Sequence, residues 1–314
     1  MIALLAPGQG AQAPGMFAPW LELDGVESRL TAWSELTGLD LVRLGTTADA
    51  DEIKDTAVTQ PLIVALSLIA AEQLRSRVEI PQDAPVAGHS VGELAAAALA
   101  GALTFDDAVT LAAVRGREMA AACSLEPTGM SAVMGGDPDE IVTHLDKLGL
   151  DPANRNGAGQ IVAAGRRSAL EELAEEPPAG ARVRPLPVAG AFHTRFMTPA
   201  RETMSNHAAE VTVSDARRPL LSNADGAVVS DSQTVLHRLV DQVTRPVRWD
   251  SCMVTLAERG VTAVVELPPA GTLSGLIRRE IKGTQAVNLK TPDDLDKVAE
   301  LLAEHSPNHS RSQV

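Results

Sequence analysis

The chain has 314 residues, 45% of them hydrophobic and 22% charged, a balance that suits a folded, soluble globular protein. Its formal net charge of −14 argues against general nucleic-acid binding, which needs a basic surface to displace counterions, and four Phe, three Trp and no Tyr leave little for stacking on bases. With no run of 18 apolar residues a membrane-spanning helix is not expected, and the length suggests one large unit carrying a smaller one.

The N-terminal "MIALLAPGQG" has neither the basic n-region nor the long apolar h-region of a signal peptide, so it reads as a first strand and a cytoplasmic address is expected. Short apolar runs then alternate with helical patterns through "PLIVALSLIAAEQLRS", "PVAGHS", "VGELAAAALAG" and "FDDAVTLAAVRGREMAAAC", the rhythm of a parallel sheet with helices on its faces. Near residue 126 the rhythm changes. "MSAVMGG" predicts a strand, "DPDEIVTHLDKLG" a helix, "ANRN" and "QIVAAG" two strands around "GAG", "RRSALEELAEE" a helix and "ARVRPLPV" a strand. That βαββαβ order is the signature of a ferredoxin-like unit.

From "AGAFHT" the first rhythm resumes, with strand "RPLLSN", helices near 232 to 243 and 249 to 260, strand "TAVVEL", helix "GTLSGLIRREI", strand "QAVNLK" and a last helix opened by "TPDD". The chain therefore divides into a discontinuous large α/β unit, 1–125 and 190–304, and a small unit, 126–189. The polar stretch 305–314 is expected to be a disordered tail, with His305 and His309 in it rather than on a metal. Cys123 and Cys252, lacking any zinc spacing, read as two reduced core thiols, and no metal site is expected.

Chemistry enters at "VAGHSVGEL", residues 86 to 94. Ser90 to Glu93 fits the S-x-x-E capping box, in which the serine oxygen accepts a backbone N–H at the helix start. Gly88 and Gly92 add a G-x-S-x-G pattern between a strand and a helix, the sharp turn that lifts a serine hydroxyl above a sheet edge beside free N–H groups. Ser90 can fill both roles. A nucleophilic serine needs a base. His89 adjoins it awkwardly, and His144, His207 and His237 sit on polar helical patterns, whereas His193 lies in "VAGAFHT" on a loop of small and apolar residues. A structural histidine there remains the alternative. Projected at 100° per residue, Arg115 falls among Ala108, Leu111, Met119 and Ala122 on an apolar face, and Arg117 falls on the polar one. A guanidinium on a buried face needs an anion, either a core carboxylate or a carboxylate-bearing ligand.

Taken with "APGQGAQ", "TAVTQP", "GHSVGE", "VRGREM", "NGAGQIVAAG", "GAFHT" and "RPVRW" in that order, the chain resembles the acyl-transferase family of fatty-acid and polyketide synthesis, in particular its malonyl-CoA:acyl-carrier-protein transacylases. The resemblance implies an α/β-hydrolase-like core with parallel sheet and an inserted ferredoxin-like subdomain. It places the nucleophile on Ser90, the catalytic histidine on His193, the substrate-carboxylate clamp on Arg115 and the oxyanion-hole amides on Gln9 and Val91. It also implies that a main-chain carbonyl, matched to Arg248, orients the histidine, that Phe192 sets malonyl selectivity, and that Asn156 and Gln160 stand near the cleft. Malonyl-CoA would be the substrate, no cofactor would be permanently bound, and the phosphopantetheine would come on the acyl carrier protein. For that acidic partner Arg166, Arg167, Arg182, Arg184 and Arg195 offer a positive patch, and a monomer is expected. A serine hydrolase or thioesterase on a similar core is the alternative.

Overall fold

The computed structural model describes residues 1–305. Strand β1 (Ile2–Ala6) is buried along its whole length, the apolar run of a strand covered on both faces. The chain passes through α1 (Val26–Thr37), α2 (Leu41–Thr46) and α3 (Thr56–Arg75) and returns as β2 (Val86–Gly88), parallel to β1 with Leu4 opposite Val86. By length and composition α3 could cross a membrane, a property hidden from a search for unbroken apolar runs because Thr, Gln, Pro and Ser interrupt it. In the fold 78% of its most apolar stretch is buried, so it serves as a core helix.

The alanine-rich α4 (Gly92–Leu99) starts just after β2 and is buried throughout, and α5 (Phe105–Cys123) packs on α3. Gly116 permits that closeness, since a Cβ there would stand 2.6 Å from the carbonyl oxygen of Thr56. Next come β3 (Thr128–Gly135), α6 (Pro138–Lys147), β4 (Asp151–Gly157), β5 (Gln160–Arg166), α7 (Arg167–Glu175) and β6 (Ala181–Pro185), in the expected order of strand and helix. These strands lie as β6-β3-β5-β4 with antiparallel neighbours, and Val133, Ile141, Leu145, Ile161 and Leu173 form a separate core beneath α6 and α7.

After α8 (Thr198–Ala208) come β7 (Leu220–Leu221), β8 (Val228–Val229), α9 (Ser232–Asp241), β9 (Val247–Arg248) and α10 (Trp249–Glu258). The described chain closes with β10 (Ala263–Glu266), α11 (Thr272–Glu280), β11 (Gln285–Asn288) and α12 (Leu295–Glu304). The first sheet has the order β11-β10-β1-β2-β7-β8, parallel but for the β7-β8 pair. β9 leaves it and runs parallel to β4, Asn154 opposite Val247, so the second sheet draws a strand from well beyond residues 126–189. The molecule is thus a mixed α/β protein of two sheets joined where β9 crosses. His305 ends α12, its Nδ1 on the carbonyl of Leu301 at 2.9 Å, while His309 and the rest of the expected tail lie outside the described residues.

Candidate active site

Ser90 occupies the turn between β2 and α4 with φ of +54°, a left-handed conformation that L residues seldom adopt. The flanking glycines make the turn possible. A Cβ on Gly88 would collide with the Gly92 carbonyl, and one on Gly92 would stand 2.5 Å from the carbonyl oxygen of Pro7. The capping-box expectation is not met: α4 has Val91 at its N-cap and no side-chain cap. The Ser90 hydroxyl takes no helix amide, and the Ser90 amide donates to Asn223 Oδ1 at 2.8 Å.

The hydroxyl faces His193, whose Nε2 is 2.8 Å from Ser90 Oγ. His193 sits between β6 and α8 with φ of +61° and is 3% exposed. Its Nδ1 donates to the main-chain carbonyl of Gln242 at 2.7 Å. Because a carbonyl only accepts, Nδ1 carries the hydrogen and the neutral ring offers a lone pair at Nε2. This corrects the assignment to Arg248. Arg248 lies in β9, where its amide donates to the Asn223 carbonyl at 2.8 Å and its guanidinium pairs with Asp250 at 2.9 Å. The carbonyl that reaches the imidazole is Gln242's, in the short turn that follows α9. Burial, aided by the nearby Arg115 charge, pushes His193 down to about 3 and keeps the ring neutral.

Arg115 lies on the buried face of α5, only 1% exposed, as its helical projection requires. Nη1 donates to Gln60 Oε1 at 2.6 Å, and Nη2 donates to Gln242 Oε1 at 2.8 Å and to Ser90 Oγ at 3.3 Å. No carboxylate forms an ion pair with it among the described residues. Burial pushes the group down to about 10, still cationic at neutral pH, with Glu93 opposing the shift. Arg117 pairs with Glu118 at the surface.

Ser90, Val91, Gln9, Phe192 and His193 line a cavity of about 430 Å³. The amides of Gln9 and Val91 donate to no protein acceptor among the described residues. Arg115 stands behind Ser90 rather than in the cavity wall. Asn156 and Gln160 also line the cavity, but their amides are engaged: Asn156 Oδ1 accepts from His89 Nε2 at 2.9 Å, and Asn156 Nδ2 donates to Gln160 Oε1 at 2.9 Å. His89 meets Trp249 edge-on at 5.7 Å and ties β4 to the serine turn. The structure thus brings Ser90, His193, Arg115 and Phe192 together and leaves Arg248 aside.

Sequence reasoning missed Gln60, Asn223 and Gln242, all of them buried. Gln60 stands inside the motif "TAVTQP", and Gln242 just before "RPVRW". A buried polar residue looks like a solvated one in a polar stretch, so only its neighbourhood in space reveals it.

A family model for the acyl transferase domain matches residues 4–311. The malonyl CoA-acyl carrier protein transacylase of Mycobacterium tuberculosis is 58% identical over 302 residues, 96% of this chain and 100% of that one. The crystal structure of MCAT from the same organism aligns at a TM-score of 0.92 with 57% identity, covering 95% of this chain and 99% of its own. A type II PKS acyl-carrier protein in complex with its malonyl-transacylase aligns at 0.89 with 27% identity, over 96% of this chain and 99% of that one.

Proposed function

The chain belongs to the acyl transferase domain family, and we infer that it moves a malonyl group from coenzyme A to the phosphopantetheine thiol of an acyl carrier protein through a malonyl-serine ester. The observation that carries this reading is a buried guanidinium, held only by neutral oxygens, beside a serine and a neutral histidine. Among the described residues such a cation lacks a counter-charge in direct contact, and its planar fork fits a carboxylate. An acyl group ending in an acid supplies it.

In the first half-reaction the proton of Ser90 Oγ passes to Nε2 of His193 while the oxygen attacks the thioester carbonyl. Free N–H groups of Gln9 and Val91 receive the oxyanion of the tetrahedral intermediate. Collapse breaks the C–S bond, and His193 returns its proton to the departing sulfur of CoA. The ester's free carboxylate then pairs with the Arg115 guanidinium, reached past Ser90 Oγ, which lies 3.3 Å from Nη2. A carrier thiol then gives its proton to His193, attacks the ester carbon and takes the acyl group, and the proton returns to Ser90. One thioester replaces another, so the exchange runs in either direction. No step draws on a resident cofactor.

Phe192, 7% exposed and adjacent to His193, crowds the acyl α-carbon and disfavours a methyl branch by about 1 to 3 kcal/mol. Asn156 and Gln160 shape the cleft wall. We assign residues 1–125 and 190–304 to an α/β-hydrolase-like unit and 126–189 to a ferredoxin-like one; the β6-β3-β5-β4 order and the separate core of the latter support this. We assign the protein to the cytoplasm, where the thiols of Cys123 and Cys252 stay reduced, and expect it to act as a monomer.

Incubation with malonyl-CoA, with and without a holo carrier protein, tests the reading. Malonyl transfer to the carrier with little free malonate supports it. Steady malonate release without an acceptor identifies a serine hydrolase instead.

A further inference from the structure

Beneath the serine turn lies a carboxylate that the reaction as described does not use. Glu93, on the first turn of α4, is 3% exposed and forms no ion pair among the described residues. Its Oε1 accepts from the Asn223 amide at 2.9 Å, and its Oε2 accepts from Gln242 Nε2. The Gln242 side chain is therefore a bridge: its Nε2 faces Glu93, and its Oε1 accepts from Arg115 Nη2 at 2.8 Å.

That orientation is enforced. Gln242 Nε2 sits among acceptors only, with the Ser90 carbonyl at 3.0 Å and Asn223 Oδ1 at 3.2 Å beside the Glu93 carboxylate. An amide reversed in this place would set oxygen against oxygen on every side, so Gln242 can present only its own oxygen to the guanidinium. Glu93, when ionised, accepts and does not donate. Burial pushes its carboxyl up to about 7, and the N–H groups of Asn223 and Gln242 act in the opposite direction.

We propose that Glu93 is a positioning residue for diacid selectivity, fixing the Arg115 guanidinium through the Gln242 side chain without touching substrate. The proposal rests on the malonyl-transfer reading above. It separates the two duties of Gln242: the carbonyl serves His193, and the side chain serves Arg115. In Glu93→Gln one amide NH₂ must point at either the Asn223 N–H or the Gln242 NH₂, and the donor-donor clash loosens the bridge.

The test compares kcat/KM for malonyl and acetyl transfer to a holo carrier protein. Glu93→Gln is expected to lower the malonyl value roughly ten- to a hundredfold, mainly through KM, and to change the acetyl value by less than about threefold. In an Arg115→Ala background the same change should leave the malonyl-to-acetyl ratio where it was. Gln242→Met removes the bridge, so its malonyl-to-acetyl ratio should fall by a similar factor, whatever the change in the acetyl value itself, even where Glu93→Gln does not fold. Equal losses for both acyl groups, a rise in malonyl transfer, or a ratio that still moves without Arg115 would each overturn the proposal. If the unaltered chain transfers no malonyl group at all, the reading of the reaction fails instead, a result plainly different from an unchanged ratio.

Discussion

The base proposed for the reaction, His193, is buried next to a cation, and both conditions favour its neutral form. Its lowered value, about 3, has a direct consequence for activity. The imidazole gains a proton only as pH falls through that value, far below the ordinary histidine range, so the base stays competent through mildly acidic solution. Acetyl transfer, which needs no carboxylate clamp, should show kcat/KM flat from about pH 8 to about pH 5; an acid limb near histidine's usual 6.5 would contradict the assignment. Arg115→Ala removes the partner proposed for the malonyl carboxylate and should lower the malonyl-to-acetyl ratio of kcat/KM by roughly a hundredfold. Phe192→Ser should relax selectivity against a methyl-branched malonyl group by about 1 to 3 kcal/mol, read from competition between the two CoA esters. An unchanged preference would remove Phe192 from the selectivity argument.

Elements explain which of these residues the sequence made visible. Arg115 was legible because α5 is amphipathic and its period alone sets the guanidinium on the buried face. Ser90 was legible because two glycines at fixed spacing have no purpose in an ordinary cap, and both prove to be sites of backbone approach too close for a side chain. Gly88→Ala should therefore destabilise the fold by about 3 kcal/mol or more, seen as a lowered Tm together with loss of acylation. A variant of native Tm would mean that the turn tolerates a Cβ. Backbone atoms, by contrast, carry no residue type. The carbonyl that orients His193 could be traced only along the chain to the region around "RPVRW", and the turn after α9 puts Gln242 there while β9 turns Arg248 toward Asp250. The two-residue β9 was equally illegible, since its partner β4 lies some ninety residues away in sequence and its pairing depends on tertiary packing.

For the whole molecule, the change of rhythm near residue 126 marks where the second sheet begins, and the place where the two sheets meet was the part that sequence could not supply. The cleft closes where the serine turn of the first sheet touches β4 of the second through His89 and Asn156, with Gln160 at the start of β5 holding Asn156. Asn156→Ala should leave the His89 ring without its polar partner, cost about 1 to 3 kcal/mol and raise KM more than it lowers kcat. Arg166, Arg167, Arg182, Arg184 and Arg195 are all exposed, Arg166 pairing with Glu126 and Arg195 with Asp151. On a chain of net charge −14, these arginines are the expected contacts for an acidic carrier. Charge reversal across the group should raise the KM for carrier protein while leaving the rate of acylation by malonyl-CoA intact; an unchanged KM would place docking elsewhere.

All of this depends on Ser90 becoming a malonyl ester, and intact mass of the chain after brief exposure to malonyl-CoA, with no carrier present, reads that state directly. The unaltered protein should gain a single malonyl group, and Ser90→Ala should gain none. A label that persists in Ser90→Ala, or an unaltered chain that never acquires one, would contradict the account.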